Sequence, residues 1–336
     1  MKDILHSIIN VYEIKENLYP KVYRYVTMRE AENLFNKHQL YFTNTSSWAI
    51  NAIKDSGDPM ETFFENWWLD TANLKKYVNV LYQCHAEQLK RFNLPYDLNS
   101  FISEFSMHLS KYMSIQNDTY SYCTAGSWNE PEMMDEYHGK WKRNIIFEYK
   151  KNFHHDIAVM HEQIPLQGDI LCADVFKMSY VSSISEFIES LSQKALDSNL
   201  GHWVYDIGTF IKHNKFEYEK EQRIRVQLLS SDVINRKCNV SNVYAALYGK
   251  KSLNEILEKS MDMLKEVRQE YLLKGKLIND LKYFDTYTNT EYLIISDISP
   301  KIVEKIYLFD NISFEDRNRI YRWASQYGVG VVELSE

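Results

Sequence analysis

Glycine is scarce in this chain of 336 residues, with 10 in all, and proline and cysteine are scarcer still at 6 and 4. So little glycine argues against folds that cradle phosphates in glycine-rich loops. No G-x-G-x-x-G follows a predicted strand, and Tyr248-Gly249-Lys250-Lys251-Ser252 ends like a Walker A loop but lacks the glycine needed upstream. The cysteines, Cys84, Cys123, Cys172 and Cys238, lie too far apart for a zinc knuckle and are expected as reduced thiols. Cys123 falls in a predicted strand, where a thiol is expected to pack rather than attack. H-E-x-x-H is absent, because residue 165 after His161-Glu162 is proline. His154 and His155 are expected at the surface, and no metal site is expected. The G-x-S-x-G elbow of serine hydrolases is absent as well. No apolar run approaches the length of a membrane span. The opening MKDILHSIINVYEIKENLYP is too short and too charged in its apolar part for secretion, so the expected setting is the cytoplasm.

What is there is aromatic and mixed in charge. The 25 tyrosines and 7 tryptophans suit either an aromatic-lined cleft or an aromatic core. With 45% hydrophobic and 25% charged residues, the chain has the balance of a globular protein. A net charge of −7 does not suit coating nucleic acid by bulk charge, though it is compatible with a local basic groove. Lys140, Lys142, Arg143, Lys150 and Lys151 cluster, and read either as a solvated face or as a patch that meets RNA.

Periodicity predicts a helix over 1–20 closed by Pro20, a strand at Val22–Val26, a helix over 28–39 and a strand over 40–44. A polar loop is predicted for 46–61, then two helices within 62–115 separated by Pro95. Strands follow at 119–125, 144–149, 169–181 and 222–229. Helices are predicted over 131–139, 182–198, 201–214, 252–276 and 314–326. Terminal strands fall at 291–296, 305–309 and 330–334. Helices and strands mix without a steady βαβ rhythm, which predicts an α+β fold in one domain.

Three segments carry candidate chemistry. In Phe216–Arg225, Glu217, Glu219 and Glu221 alternate, so an extended chain would align three like charges roughly 7 Å apart on one face. They read as a bare acidic edge, or as carboxylates that face a reacting sugar. Arg223 and Arg225 are expected to point the same way and partly neutralise them. In Tyr23-Arg24-Tyr25, alternation sends Arg24 to one face and both tyrosines to the other. An arginine on an apolar strand needs a carboxylate or phosphate, either a ligand's or one of those glutamates. The third segment, Thr119–Thr124, is rich in hydroxyls.

In this order the segments resemble the arginine, serine and glutamate strands of ADP-ribosyltransferases. The pattern Val22-Tyr23-Arg24-Tyr25, Gly57-Asp58-Pro59-Met60-Glu61, Met134–Gly139, Phe216–Arg223 and Ile302–Leu308 also resembles an uncharacterised bacterial domain family from phage-defence neighbourhoods. Gly57 stands where that pattern has asparagine, and Met134 and Phe216 where it has tryptophan; the hydroxyl strand lacks a clean S-T-S. The resemblance covers about three-quarters of the chain. It implies split sheets around NAD as substrate, with helical insertions at about 62–115 and 240–290 in a single domain over 1–336. By it, Glu221 and Glu219 with Arg24 would be catalytic. Tyr23, Arg24, Tyr25, Ser121, Tyr122, Thr124 and Tyr137 would bind the dinucleotide. It further implies a defence toxin that modifies RNA or protein, with an antitoxin and chaperone as partners; the helix over 252–276 reads as an antitoxin dock or as cover for the core. Two rival classes are a metal-dependent nuclease, with Asp58 and Glu61 joining the E-x-E carboxylates, and a non-catalytic binding protein of the same fold.

Overall fold

A computed structural model describes residues 8–10, 12–13, 18–44, 71–115, 119–160, 169–183, 211–229, 237–280 and 292–334. Its strands are β1 (Ile8–Asn10), β2 (Tyr12–Glu13), β3 (Val22–Val26), β4 (Leu40–Asn44), β5 (Thr119–Ala125), β6 (Ile145–Tyr149), β7 (Ala158–Met160), β8 (Asp169–Lys177), β9 (Ser179–Val181), β10 (Ile211–His213), β11 (Glu221–Leu229), β12 (Tyr292–Ile295), β13 (Val303–Phe309) and β14 (Gly330–Leu334). Its longer helices are α1 (Met28–Lys37), α2 (Thr71–Arg91), α3 (Leu98–Ile115), α4 (Val240–Leu247), α5 (Leu253–Asp280) and α6 (Phe314–Tyr327).

The fold is α+β. One ten-stranded sheet runs β14-β13-β6-β3-β5-β11-β8-β2, with β4 and β12 branching from β5. Most neighbours in it are antiparallel. The expected split into two sheets is a narrow waist instead: β3 meets β5 at the single pair Tyr23–Ala125, while β4 takes the same strand at Ser121 and Tyr120. The expected helix over 1–20 is corrected by β1 and β2, which pair with β7 and β8. Strand partners far along the chain supply backbone hydrogen bonds that local periodicity does not register. The end of the predicted helix 201–214 is likewise a strand, β10. The predicted loop 46–61, residues 62–70 and the predicted helix 182–198 from residue 184 on lie outside the described residues.

Local chemistry explains the helices that do form. Thr27 and Glu30 make a reciprocal capping box at the start of α1, and His38 closes it in a left-handed conformation. Ser313 caps α6 at one end and Gly328, at φ 69°, ends it at the other. Pro131 opens the helix expected over 131–139, which after Met133 widens to a π-helix over Met134–Lys140 in this 131–140 turn. Such wide turns are uncommon and often mark functional sites.

Two cores result. On one sheet face, α1 and α6 cover Val22, Phe147, Tyr149, Ile306 and their neighbours, with Phe35 wedged against Phe147 and stacked on Trp323 at 5.8 Å. The helices α2 to α5 form a separate cluster around Leu74, Phe105, Val243, Ile256 and Leu264. The blocks 71–115 and 237–267, distant in sequence, therefore share one apolar core, and the amphipathic face of α5 is used in it. Close approach also explains Gly126, where an added Cβ would sit 2.9 Å from the Tyr19 ring.

Phe35→Ala is expected to lower unfolding stability by about 3–5 kcal/mol, because it opens a cavity in the sheet core. Phe92→Ala, at a residue 75% exposed, is expected to change it by less than about 0.5 kcal/mol. Urea denaturation of both variants checks the contrast.

Candidate active site

The strand register sorts the candidate residues between the two faces. Tyr23 and Glu221 both pair with Ala125, so all three point the same way, and Tyr25, Cys123, Arg223 and Ser121 follow by alternation. Arg24, Tyr122 and Thr124 point to the opposite face. The arrangement expected from sequence, with all of them around one ligand, is therefore divided by the sheet itself.

On the glutamate face, residues 214–219 coil as a 3-10 helix rather than extending. Lys220, in a left-handed conformation at φ 43°, turns the chain into β11. This corrects the expected row of three carboxylates. Glu217 stays exposed, while Glu219 and Glu221, 8% and 4% exposed, still converge. They converge on Lys212, whose Nζ lies 2.5 Å from Glu219 Oε2 and 2.9 Å from Glu221 Oε2. Arg223 donates to Glu221 through Nε at 2.5 Å and Nη2 at 3.1 Å. Arg225 does not join; it pairs with Asp174 on β8, Nε to Oδ1 at 3.0 Å. Lys212 reaches the pair because β10 lies parallel to β9, with Lys212 opposite Tyr180. The Tyr180 hydroxyl in turn accepts from the Glu221 N–H at 2.6 Å.

Electrostatics follow this geometry. Burial alone would favour the neutral acid at Glu221, but Arg223 and Lys212 outweigh it and hold the carboxyl well below its ordinary value. Burial and the Glu221 charge push the Cys123 thiol well up, which favours its neutral form. Burial and the neighbouring Glu219 charge do the same to Tyr137, and Tyr218 is pushed up to about 12 by the same two causes. Tyr137 stacks on Tyr25 at 5.4 Å and lies 4.9 Å from Trp141, which is 49% exposed. Tyr25 continues the stack onto Phe309 and donates to the Trp128 carbonyl at 2.7 Å. Tyr23 lies further along the face, 6.5 Å from Tyr307.

On the other face Arg24 fills the fork where β5 changes partners. Its Nη1 donates to the Cys123 carbonyl at 2.6 Å, its Nη2 lies 3.1 Å from Glu30, and its guanidinium sits 4.3 Å over the Tyr122 ring. The partner is thus a helix glutamate, not one of the E-x-E pair. Burial resists ionisation of Glu30, and Arg24 and Arg143 overcome it to lower its value. Thr124 donates to the Gln222 carbonyl at 2.8 Å, and Tyr122 hydrogen-bonds Tyr149. Back on the glutamate face, the Ser121 hydroxyl is buried and has no hydrogen-bond partner among the described residues.

Of the remaining candidates, His154 is corrected from surface to buried, against Phe153. Lys250 and Lys251 lie in the turn between α4 and α5, where Gly249 at φ 81° supplies the reversal, not a phosphate loop. Among the described residues no group of three His, Cys, Asp or Glu could hold a metal ion; Asp58 and Glu61 lie outside them. No helix among the described residues is long and apolar enough to cross a membrane. Lys212 was missed by the sequence reading, because its role depends on pairing between β9 and β10. No family model, curated protein or solved structure matches the chain.

Glu221→Gln is expected to destabilise the protein by about 3–5 kcal/mol at pH 7, since it leaves Arg223 and Lys212 short of a carboxylate. A depressed carboxyl stabilises the fold above its ordinary value of 4.5 and loses that contribution as pH falls further. The gap between wild type and variant should therefore narrow below pH 4.5, as read from urea midpoints across a pH series.

Proposed function

We propose that the chain is an NAD-dependent mono-ADP-ribosyltransferase, a toxin of bacterial phage defence, with its reacting centre on the glutamate face of the sheet. The observation that carries this reading is the pair of buried carboxylates, Glu219 and Glu221, converging beside the Tyr137–Tyr25 stack. Cleavage of the bond between nicotinamide and ribose leaves positive charge on the sugar. A fixed, ionised carboxylate in a water-poor site stabilises that charge best. Glu221 has that character, and Glu219 is in place to orient or deprotonate an acceptor. Tyr137, partly exposed at the outer end of the stack, offers its ring to a ring of the dinucleotide. Arg24 supports the fork between β3 and β5 from behind, which assigns it a supporting part rather than contact with substrate. The acceptor, RNA or protein, and the antitoxin and chaperone partners come from the resemblance alone.

One observation favours the non-catalytic alternative. Lys212 and Arg223 already balance the charge of both carboxylates, as they would in a site that binds without turning over. The test is incubation of purified protein with radiolabelled NAD and a cell extract, divided by protease and ribonuclease treatment. Label is expected to survive in one fraction and to fall at least about 100-fold with Glu221→Gln. Intact NAD and no label would move the assignment to a binding protein.

A further inference from the structure

We propose that Lys212 is the positioning residue of this site: its ammonium, buried between Glu219 and Glu221, holds the two carboxylates side by side on the sheet face. The catalytic consequence rests on the transferase reading; the electrostatic one rests on geometry. One carboxylate oxygen of each glutamate lies in direct reach of Nζ, at 2.5 and 2.9 Å, and Lys212 is only 7% exposed. The Phe216 ring, 5.0 Å away, adds a favourable face to the ammonium.

Two carboxylates this close, with little water between them, do not both stay ionised unless a cation joins them. Among the described residues, the titratable groups that face them are Arg223 on β11, Cys123 on β5, Tyr180 on β9, Tyr137 on the 131–140 turn and Tyr218 in 214–219. The thiol and the phenols are neutral, and Arg223 engages Glu221. Among the described residues, the cation whose ammonium reaches both glutamates is Lys212. Without it, one carboxyl would take up a proton in the neutral range, and the general base and the charge stabiliser could not coexist.

The test is a carboxyl titration by NMR on the full chain, carrying carbon-labelled glutamate, with Glu219→Gln and Glu221→Gln to assign the signals. Lys212→Met is expected to raise the upper titration of the pair by roughly 2 pH units. Lys212→Arg is expected to restore it. In the double variant Lys212→Met with Glu219→Gln, Glu221 should again titrate low, because its like-charged neighbour is gone. In the transferase assay the acid limb of kcat/KM should move up in parallel with Lys212→Met alone. An unchanged titration in Lys212→Met overturns the proposal. Should that variant fail to fold, adding Glu219→Gln is expected to recover folding, and failure of both overturns it too. A titration that shifts as expected in a protein that turns over no NAD sinks the transferase reading and leaves Lys212 in its role.

Discussion

Glu219 and Glu221 are both buried and joined by one ammonium, and this contact organises the glutamate face. Desolvating two carboxylates is costly enough that the surroundings must supply compensation from several directions. β11 supplies Arg223, β10 supplies Lys212 and β9 supplies the Tyr180 hydroxyl to the backbone of Glu221. The 3-10 helix and the left-handed Lys220 bring Glu219 back over the start of β11. Segments that look unrelated in sequence are thus fixed relative to one another by one small neutral cluster.

The sheet supports this cluster by keeping its two faces different. One face is packed by α1 and α6 and is largely apolar. The other carries a smaller aromatic cluster of Tyr25, Met133, Ile146 and Phe309, bordered by Tyr23, Trp128 and Tyr137. Where β5 passes from β3 to β4, the unpaired carbonyl of Cys123 is met by Arg24 from the packed side. Arg24 and Glu221 therefore lie on opposite faces of the sheet. Arg24 steadies the strand whose other face holds Cys123 beside Glu221.

The helical cluster has its own logic. α2 and α3 cannot bury their apolar stripes against each other alone, and α4 and α5 complete the core from far along the chain. His85 is a buried polar group there, with its Nε2 3.4 Å from Ser100 Oγ. The exposed Trp141 stands at the end of the tyrosine stack, and its basic neighbour Arg143 donates to the Tyr25 carbonyl and lies 3.7 Å from Glu30.

The sequence by itself determined the elements whose signals are local. β3 and β6 follow from β-branched and aromatic runs, α1 and α6 from capping residues and apolar spacing, and the α2–α3 break from Pro95. It also singled out Glu217, Glu219 and Glu221, because a repeated acidic residue in a strand-like stretch is unfavourable without a reason; the resemblance narrowed them to Glu219 and Glu221. Tertiary structure alone decided the rest. Residues 8–10 and 12–13 became strands because β7 and β8 offered partners, against the local helical pattern. Glu217 left the row because a 3-10 turn, not an extended chain, precedes β11. Lys212 carries no motif, and only the pairing of β9 with β10 brings its charge to the glutamates. Arg24 and Glu221 lie on opposite faces because register is set by hydrogen bonds between strands about a hundred residues apart or more, and a periodicity of two along one strand cannot report them.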